Sequence, residues 1–373
     1  MATIRKRPGR PKPWEARYRD PSGRSRSRSF ARKSDAQRFL TTVEADKLRG
    51  RWIDPAAGKV TFAAFAEQWL ASQVFDAKTR EGTASRLHAH LLPAFGDGEL
   101  RGIRPSTVQA WVASASRDLA PSYVRLLLAT LSAILGAAVE DGLIMTNPCR
   151  SRAVSAPKVT RPKVRPWTVE QVAAAVAAMP ARYRATAVVA SGAGLRQGEV
   201  FGLRVTDVDF LGRRLDVRQQ VKHITGQGVV FAPPKRGKTR SVPLSDTVAA
   251  AVSEHLRVHP AEGGDLVFTN TVGGPINRGS FNDRVWKPAV VAAGLEPTRD
   301  NGMHALRHTY ASVLLAEGVS IRAVADYLGH ESASFTLHVY THLMPDDDER
   351  AREVIDGAFG AAVGQAWAEA GGA

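Results

Sequence analysis

The chain has 373 residues, with 51 Lys and Arg against 36 Asp and Glu, for a formal charge of +15. Hydrophobic residues at 44% and charged residues at 23% exclude wholesale disorder, and the length allows two or three domains. A single cysteine, Cys149, excludes a disulfide framework and a cysteine-rich zinc site, and no uninterrupted apolar run reaches the ~18 residues of a membrane span. The basic N-terminus lacks the apolar stretch of a signal peptide, so the expectation is a soluble, cytoplasmic protein with a polyanionic partner.

Residues 1–40 carry thirteen Lys and Arg against three acidic residues, two thirds of the whole surplus. Residues 1–13 read equally as a solvated, disordered tail. Beyond them Trp14, Ala16 and Tyr18 alternate with Glu15, Arg17 and Arg19, the period of a half-buried strand. Asp20-Pro21-Ser22-Gly23 supplies a turn, and Arg24, Arg26 and Arg28 then alternate with serines, sharing one face over ~13 Å at ~3.3 Å per residue. Ser34 can cap a helix to about Leu48 with Ala36, Phe39, Leu40 and Val43 inward. A small sheet bearing guanidiniums and backed by a helix suits a DNA major groove, so Arg17, Arg19, Arg24, Arg26 and Arg28 are the candidate DNA contacts. A merely solvated charged face is the plainer alternative.

Residues 49–60 read as a linker. Helical patterns follow over 61–70, 79–92, 105–116 and 121–140, the last with Val124, Leu127, Leu131, Ile134, Leu135 and Ala138 on one stripe. A basic, proline-containing strap occupies 148–167, and Thr168 with Gln171 forms a capping box that opens the next domain. There, helices near 169–179 and 182–190 precede strands near 213–221, 229–233 and 240–244, with a turn at 225–228; helix returns from Ser280. The expected architecture is multidomain: a small β-sheet plus helix over 1–55, an all-α domain over 61–147, a linker at 148–167, an α+β domain over 168–360 and a tail at 361–373.

The chemistry concentrates late in the chain. In Met303-His304-Ala305-Leu306-Arg307-His308, a helix with Leu306, Tyr310, Val313 and Leu314 inward gathers His304, Arg307 and His308 on one part of its surface. Ser320 caps a helix that stops at Gly329, directly before His330, and Tyr340 follows. Upstream, Gly194-Leu195-Arg196-Gln197-Gly198-Glu199 joins two helices, and Pro234-Lys235-Arg236-Gly237-Lys238 suits a hairpin tip before Val242-Pro243-Leu244.

These four segments, in this order, resemble the phage-integrase family of tyrosine recombinases. Leu91-Leu92-Pro93-Ala94-Phe95-Gly96 and Gly142-Leu143-Ile144 before Asn147-Pro148 extend the likeness through the helical domain, and 1–55 resembles the arm-type DNA-binding domain of temperate-phage integrases. The resemblance implies a site-specific recombinase that integrates or excises a phage or mobile element through a 3′-phosphotyrosyl link. Tyr340 is then the nucleophile, and Arg196 and Arg307 stabilise the phosphorane charge. His304 acts in acid/base chemistry, and His330 donates to the phosphate. The leaving 5′-oxygen needs a proton, which Lys235 can bring on a mobile hairpin, with Lys238 the competitor. Glu199 braces Arg196; His308 and His338 are surface or supporting groups, and His342 carries no role. The resemblance further implies double-stranded DNA partners at core-type and arm-type sites, a homotetramer on DNA and nucleoid association. It leaves room for a host DNA-bending factor and an excisionase. No cofactor and no metal are expected: no Walker-type loop appears, and a covalent intermediate conserves the bond energy. The rival readings are a catalytically silent DNA-binding protein on this fold and a type IB topoisomerase. Helix 347–359, with Val354, Ile355 and Phe359, docks on its own subunit or a neighbour's.

Overall fold

The computed structural model describes residues 2–20, 23–48, 57–160, 164–261, 265–341 and 352–359. Most of the first linker, residues 161–163 of the strap, His342 and the tail at 361–373 lie outside the described residues. The chain divides into two compact units, Met1–Thr160 and Arg161–Ala373.

The first unit begins with an antiparallel sheet of β1 (Thr3–Lys6), β2 (Trp14–Arg19) and β3 (Ser25–Phe30), followed by α1 (Lys33–Leu48). Residues 3–6 are thus an edge strand and not part of a disordered tail: Ile4 lies opposite Ala16 and Lys6 opposite Trp14. Ala16 and Tyr18 pack with Ala36, Leu40 and Val43 in a small core, with Phe39 against it. The register decides where the arginines go. Arg26 lies opposite Tyr18 and Arg28 opposite Ala16, so both share the helix-facing side. Arg26 Nε bonds Asp20 Oδ2 at 3.2 Å, and the Arg28 guanidinium lies 5.3 Å from the Phe30 ring centre and 5.2 Å from that of Phe39. Arg24 precedes β3, and its backbone N–H bonds the Asp20 carboxylate. Arg26 and Arg28 thus share one face as expected, with Arg24 and Arg28 exposed and Arg26 half-buried, but they flank α1 and leave the sheet's other, uncovered face to different residues. That face carries Arg5, Arg17 and Arg19 among Ser25, Ser27 and Ser29, with Glu15 held by Arg7 and Arg17.

The same unit holds a separate helical core. Thr61 caps α2 (Phe62–Ser72), accepting the Ala64 N–H, and Asp76 caps α3 (Ala77–Arg86). The helix widens through Leu87–Leu91 into α4 (Leu92–Phe95), and α5 (Pro105–Asp118) and α6 (Pro121–Glu140) follow. Proline near the start of α5 and of α6 leaves no helical donor wasted. All six expected stripe residues of α6 are buried. This helix is long and apolar enough to cross a membrane by length and composition, contrary to the sequence expectation, but its stripe packs against Phe62, Phe65, Leu87 and Leu91.

The second unit opens with α7 (Val169–Ala178), where both bonds of the Thr168–Gln171 capping box form. Next come α8 (Ala181–Ala193), α9 (Gln197–Phe201), β4 (Val208–Asp209) and β5 (Arg214–Val217), then β6 (Gln220–Ile224), β7 (Gly228–Ala232) and β8 (Arg240–Pro243). β4, β5 and β8 form one sheet and β6–β7 a separate hairpin, so the lysine segment is not a hairpin tip; it crosses from the hairpin to the sheet. Helices α10 (Asp246–Val258), α11 (Arg278–Phe281), α12 (Lys287–Ala292), α13 (His304–Ala316), α14 (Ile321–Leu328) and α15 (Ala333–Tyr340) complete the unit. On α13, Leu306 and Tyr310 are buried as expected, but Val313 is exposed and Leu315 buried in its place. Residues 352–359 are helical with Val354, Ile355 and Phe359 exposed.

Candidate active site

The site is assembled where α8, α13 and α14 end or begin. α8 closes on Gly194, whose left-handed φ of 65° suits glycine and where any Cβ would strike the Tyr310 ring. Arg196 then caps α9. Glu199, one turn in, folds back: the Arg196 N–H donates to Oε2 at 2.9 Å and Arg196 Nη1 to Oε1 at 2.8 Å. Arg240 arrives from β8 and donates to both carboxylate oxygens, at 3.1 and 2.7 Å, while its Nε bonds the Tyr327 carbonyl at 2.6 Å. Burial pushes the Glu199 carboxyl up, but the hydrogen bonds and charge of Arg240, with the charge and N–H of Arg196, outweigh it and hold it at about 2. Glu199 is thus an ionised hub between two guanidiniums, and Arg196 keeps a quarter of its side chain exposed.

Arg307, on the first turn of α13, is only 1% exposed. Its Nη1 donates to the Gly194 carbonyl at 2.7 Å and its Nη2 to the Leu328 carbonyl, which ties the ends of α8 and α14 together. Burial and the charges of Arg196 and Arg240 draw it down to about 9, still protonated at neutral pH. One residue on, His308 Nδ1 lies 2.7 Å from Tyr340 Oη. Tyr340 is itself 1% exposed, and burial raises its phenol to about 12 despite the opposing charge of Arg307. The His304 ring stacks edge-on against His308, centres 4.7 Å apart. His330 follows the left-handed Gly329, φ 61°, and its Nδ1 lies 2.8 Å from Thr336 Oγ1. Desolvation first, then neighbouring positive charge, depresses His304 and His330 to about 3 and His308 to about 4. The His304 ring nevertheless reaches solvent, which screens its share of that shift.

Five of the sequence candidates, Arg196, His304, Arg307, His330 and Tyr340, therefore meet in one unit. Lys235 does not join them: it is exposed on the single turn Lys235–Gly237, and no described contact ties it or the exposed Lys238 to the cradle. Each is nonetheless tethered by Arg240. Five residues of extended chain span at most ~17 Å, and a lysine side chain extends that reach. Arg240 escaped the sequence analysis; it had one signal, its alternation with the buried Val242 on β8, which turns it inward. His308, expected as a surface or supporting group beside His304 and Arg307, touches the phenol. Among the described residues no group of three or more His, Cys, Asp or Glu is placed to hold a metal ion.

A phenol bonded to an imidazole beside Arg307, with Arg196 and further imidazoles in the same cluster, has the chemistry that phosphoryl transfer through tyrosine would use: guanidiniums can match the charge of a five-coordinate phosphorus, and a phenol can serve as nucleophile. Residues 164–346 match the family model described as "Phage integrase family". The chain is 30% identical over 286 residues to tyrosine recombinase XerD of Corynebacterium glutamicum, covering 72% of this chain and 86% of that protein. It is 29% identical over 350 residues to the prophage phiRv2 integrase of Mycobacterium tuberculosis, covering 92% of each. In fold it is similar to the Tn1549 transposon integrase in complex with a circular intermediate DNA, with a TM-score of 0.69 at 20% identity over 79% of this chain and 98% of that one. A lambda integrase tetramer bound to a Holliday junction gives 0.56 at 19% identity, over 89% and 93%. The chain belongs to the phage integrase family of tyrosine recombinases. It is a site-specific DNA recombinase, and neither a silent DNA-binding protein nor a topoisomerase is favoured.

Proposed function

We propose that the chain integrates or excises a phage or mobile element by cutting and rejoining DNA at attachment sites, with Tyr340 as nucleophile. Tyr340 Oη attacks the scissile phosphorus, the bond from phosphorus to the 5′-oxygen breaks, and a 3′-phosphotyrosyl link forms; rejoining reverses these steps on a second strand. Arg196 and Arg307 offset the charge on the non-bridging oxygens. His330 donates to the same group, and His304 takes part in proton transfer. Lys235, or Lys238 in its stead, protonates the leaving 5′-oxygen. Residues 61–147 and 168–360 would hold core-type DNA with the 148–167 strap, and 1–55 arm-type DNA, in a homotetramer working on the nucleoid.

One observation carries this reading: the Tyr340 hydroxyl is bonded to the neighbour of Arg307, and Arg307 bonds the carbonyl of Gly194, two residues from Arg196. The test is a nicked suicide substrate carrying the element's own attachment site. Wild-type chain should form a covalent protein–DNA species, whereas Tyr340→Phe should bind with unchanged affinity and form none. Adducts persisting in that variant would place the nucleophile elsewhere.

A further inference from the structure

We propose that His308 accepts the Tyr340 phenolic proton during strand cleavage and returns it on rejoining. The inference rests on Tyr340 being the nucleophile. The family resemblance assigns the acid/base role to His304, but the described bond to Oη comes from His308 Nδ1 at 2.7 Å, while His304 meets only the His308 ring.

The direction of that bond follows from burial. Tyr340 is 1% exposed and its phenol stays protonated, so its O–H needs an acceptor. A neutral His308 with its hydrogen on Nε2 offers the Nδ1 lone pair; the other tautomer would leave the phenol proton without a described partner. His308 is kept neutral by desolvation and then by the charge of Arg307. The charged and titratable groups around it are Arg307 and His304 on α13, Tyr340 on α15, and His330, whose own titration feels His308. An approaching phosphodiester brings negative charge into this set and favours the imidazolium, so the basicity of His308 rises as the phosphorus comes within reach. The step balances. The phenol O–H breaks, N–H forms on Nδ1, Oη bonds phosphorus, and the displaced 5′-oxygen takes a proton from the lysine. Rejoining runs each transfer backwards, with the imidazolium returning its proton to the departing phenolate.

The experiment compares single-turnover cleavage of ordinary suicide DNA with the same DNA carrying sulfur at the bridging 5′ position, a leaving group that needs no proton. His308→Asn keeps a hydrogen-bonding atom near the position of Nδ1 but no base. It should cleave both substrates about 100-fold slower than wild type, in the range of general-base catalysis. Its rate should climb about tenfold per pH unit between roughly pH 7 and 9, because only pre-formed phenolate reacts. DNA affinity should be unchanged, and sulfur should rescue Lys235→Ala but not His308→Asn. Cleavage within threefold of wild type, or rescue of His308→Asn by sulfur, overturns the proposal. Adduct formation by Tyr340→Phe sinks the nucleophile assignment instead. Should His308→Asn fail to fold, imidazole nitrogen shifts in the wild-type chain decide: the Nε2–H tautomer supports the proposal and the Nδ1–H tautomer overturns it.

Discussion

Replacing Glu199 by Gln removes the single negative charge that Arg196 and Arg240 share. The carboxylate is fully buried, and Arg240 beside it is 5% exposed, so solvent relieves little of the resulting repulsion. Holding a carboxyl at about 2 instead of its ordinary 4.5 corresponds to roughly 3 kcal/mol of stability at neutral pH. Breaking a buried pair by deleting one partner costs about 3–5 kcal/mol, which agrees. Urea unfolding at pH 7 should therefore show Glu199→Gln less stable by about 3 kcal/mol. A depressed carboxylate stabilises above its unfolded value, so the gap should close as pH falls from about 4.5 toward 2. Adding Arg240→Met should recover much of the stability by removing the second buried charge, while cleavage stays impaired because Arg196 has lost its brace. A Glu199→Gln chain within 1 kcal/mol of wild type at pH 7 would refute the hub argument.

Gly194→Ala should lower stability by about 2–4 kcal/mol in thermal melting, since it strains a left-handed residue and forces a methyl into Tyr310. His308 titrates at about 4 when folded and near 6.5 when unfolded, so acid favours unfolding. The share owed to His308 should be fully present above pH 6.5 and fall by at most about 2 kcal/mol between pH 6.5 and 5, and His308→Asn should remove that share of the slope while leaving the part owed to His304 and His330. The proposed binding of arm-type DNA by residues 1–55 requires that Arg17→Ala and Arg19→Ala each reduce the logarithmic salt dependence by about 1, as loss of a phosphate contact does. Arg28→Ala, whose guanidinium lies on Phe30 and Phe39, should leave the salt slope unchanged and cost about 0.5–1 kcal/mol of stability.

The helices of this protein were readable because their burial repeats in the sequence: α6 shows its stripe at every expected position, and Thr168 with Gln171 advertised the start of α7. The cradle was readable for another reason. Arg196, His304, Arg307, His330 and Tyr340 stand in short segments whose order resembles that of the phage-integrase family, and the resemblance grouped them although Arg196 is far from the others in sequence. What escaped depends on tertiary register. A one-residue difference in strand pairing swaps the faces of a sheet, so Arg26 and Arg28 went to the helix side, a choice their alternation with serine does not encode. Residues 3–6 look like tail until β2 offers them an edge. Arg240 was one basic residue in a basic segment until Glu199, far away in sequence, supplied its partner. His308 and Tyr340 meet only because α14, packed on α13, carries α15 back so that its last residue reaches the start of α13.

The most direct measurement is mass spectrometry of the protein trapped on a suicide substrate and digested with protease and nuclease. The account predicts one modified peptide, the one containing Tyr340, carrying a nucleotide through its 3′-phosphate. A nucleotide on Tyr310, Tyr327 or any other residue, or one joined through a 5′-phosphate, would contradict it.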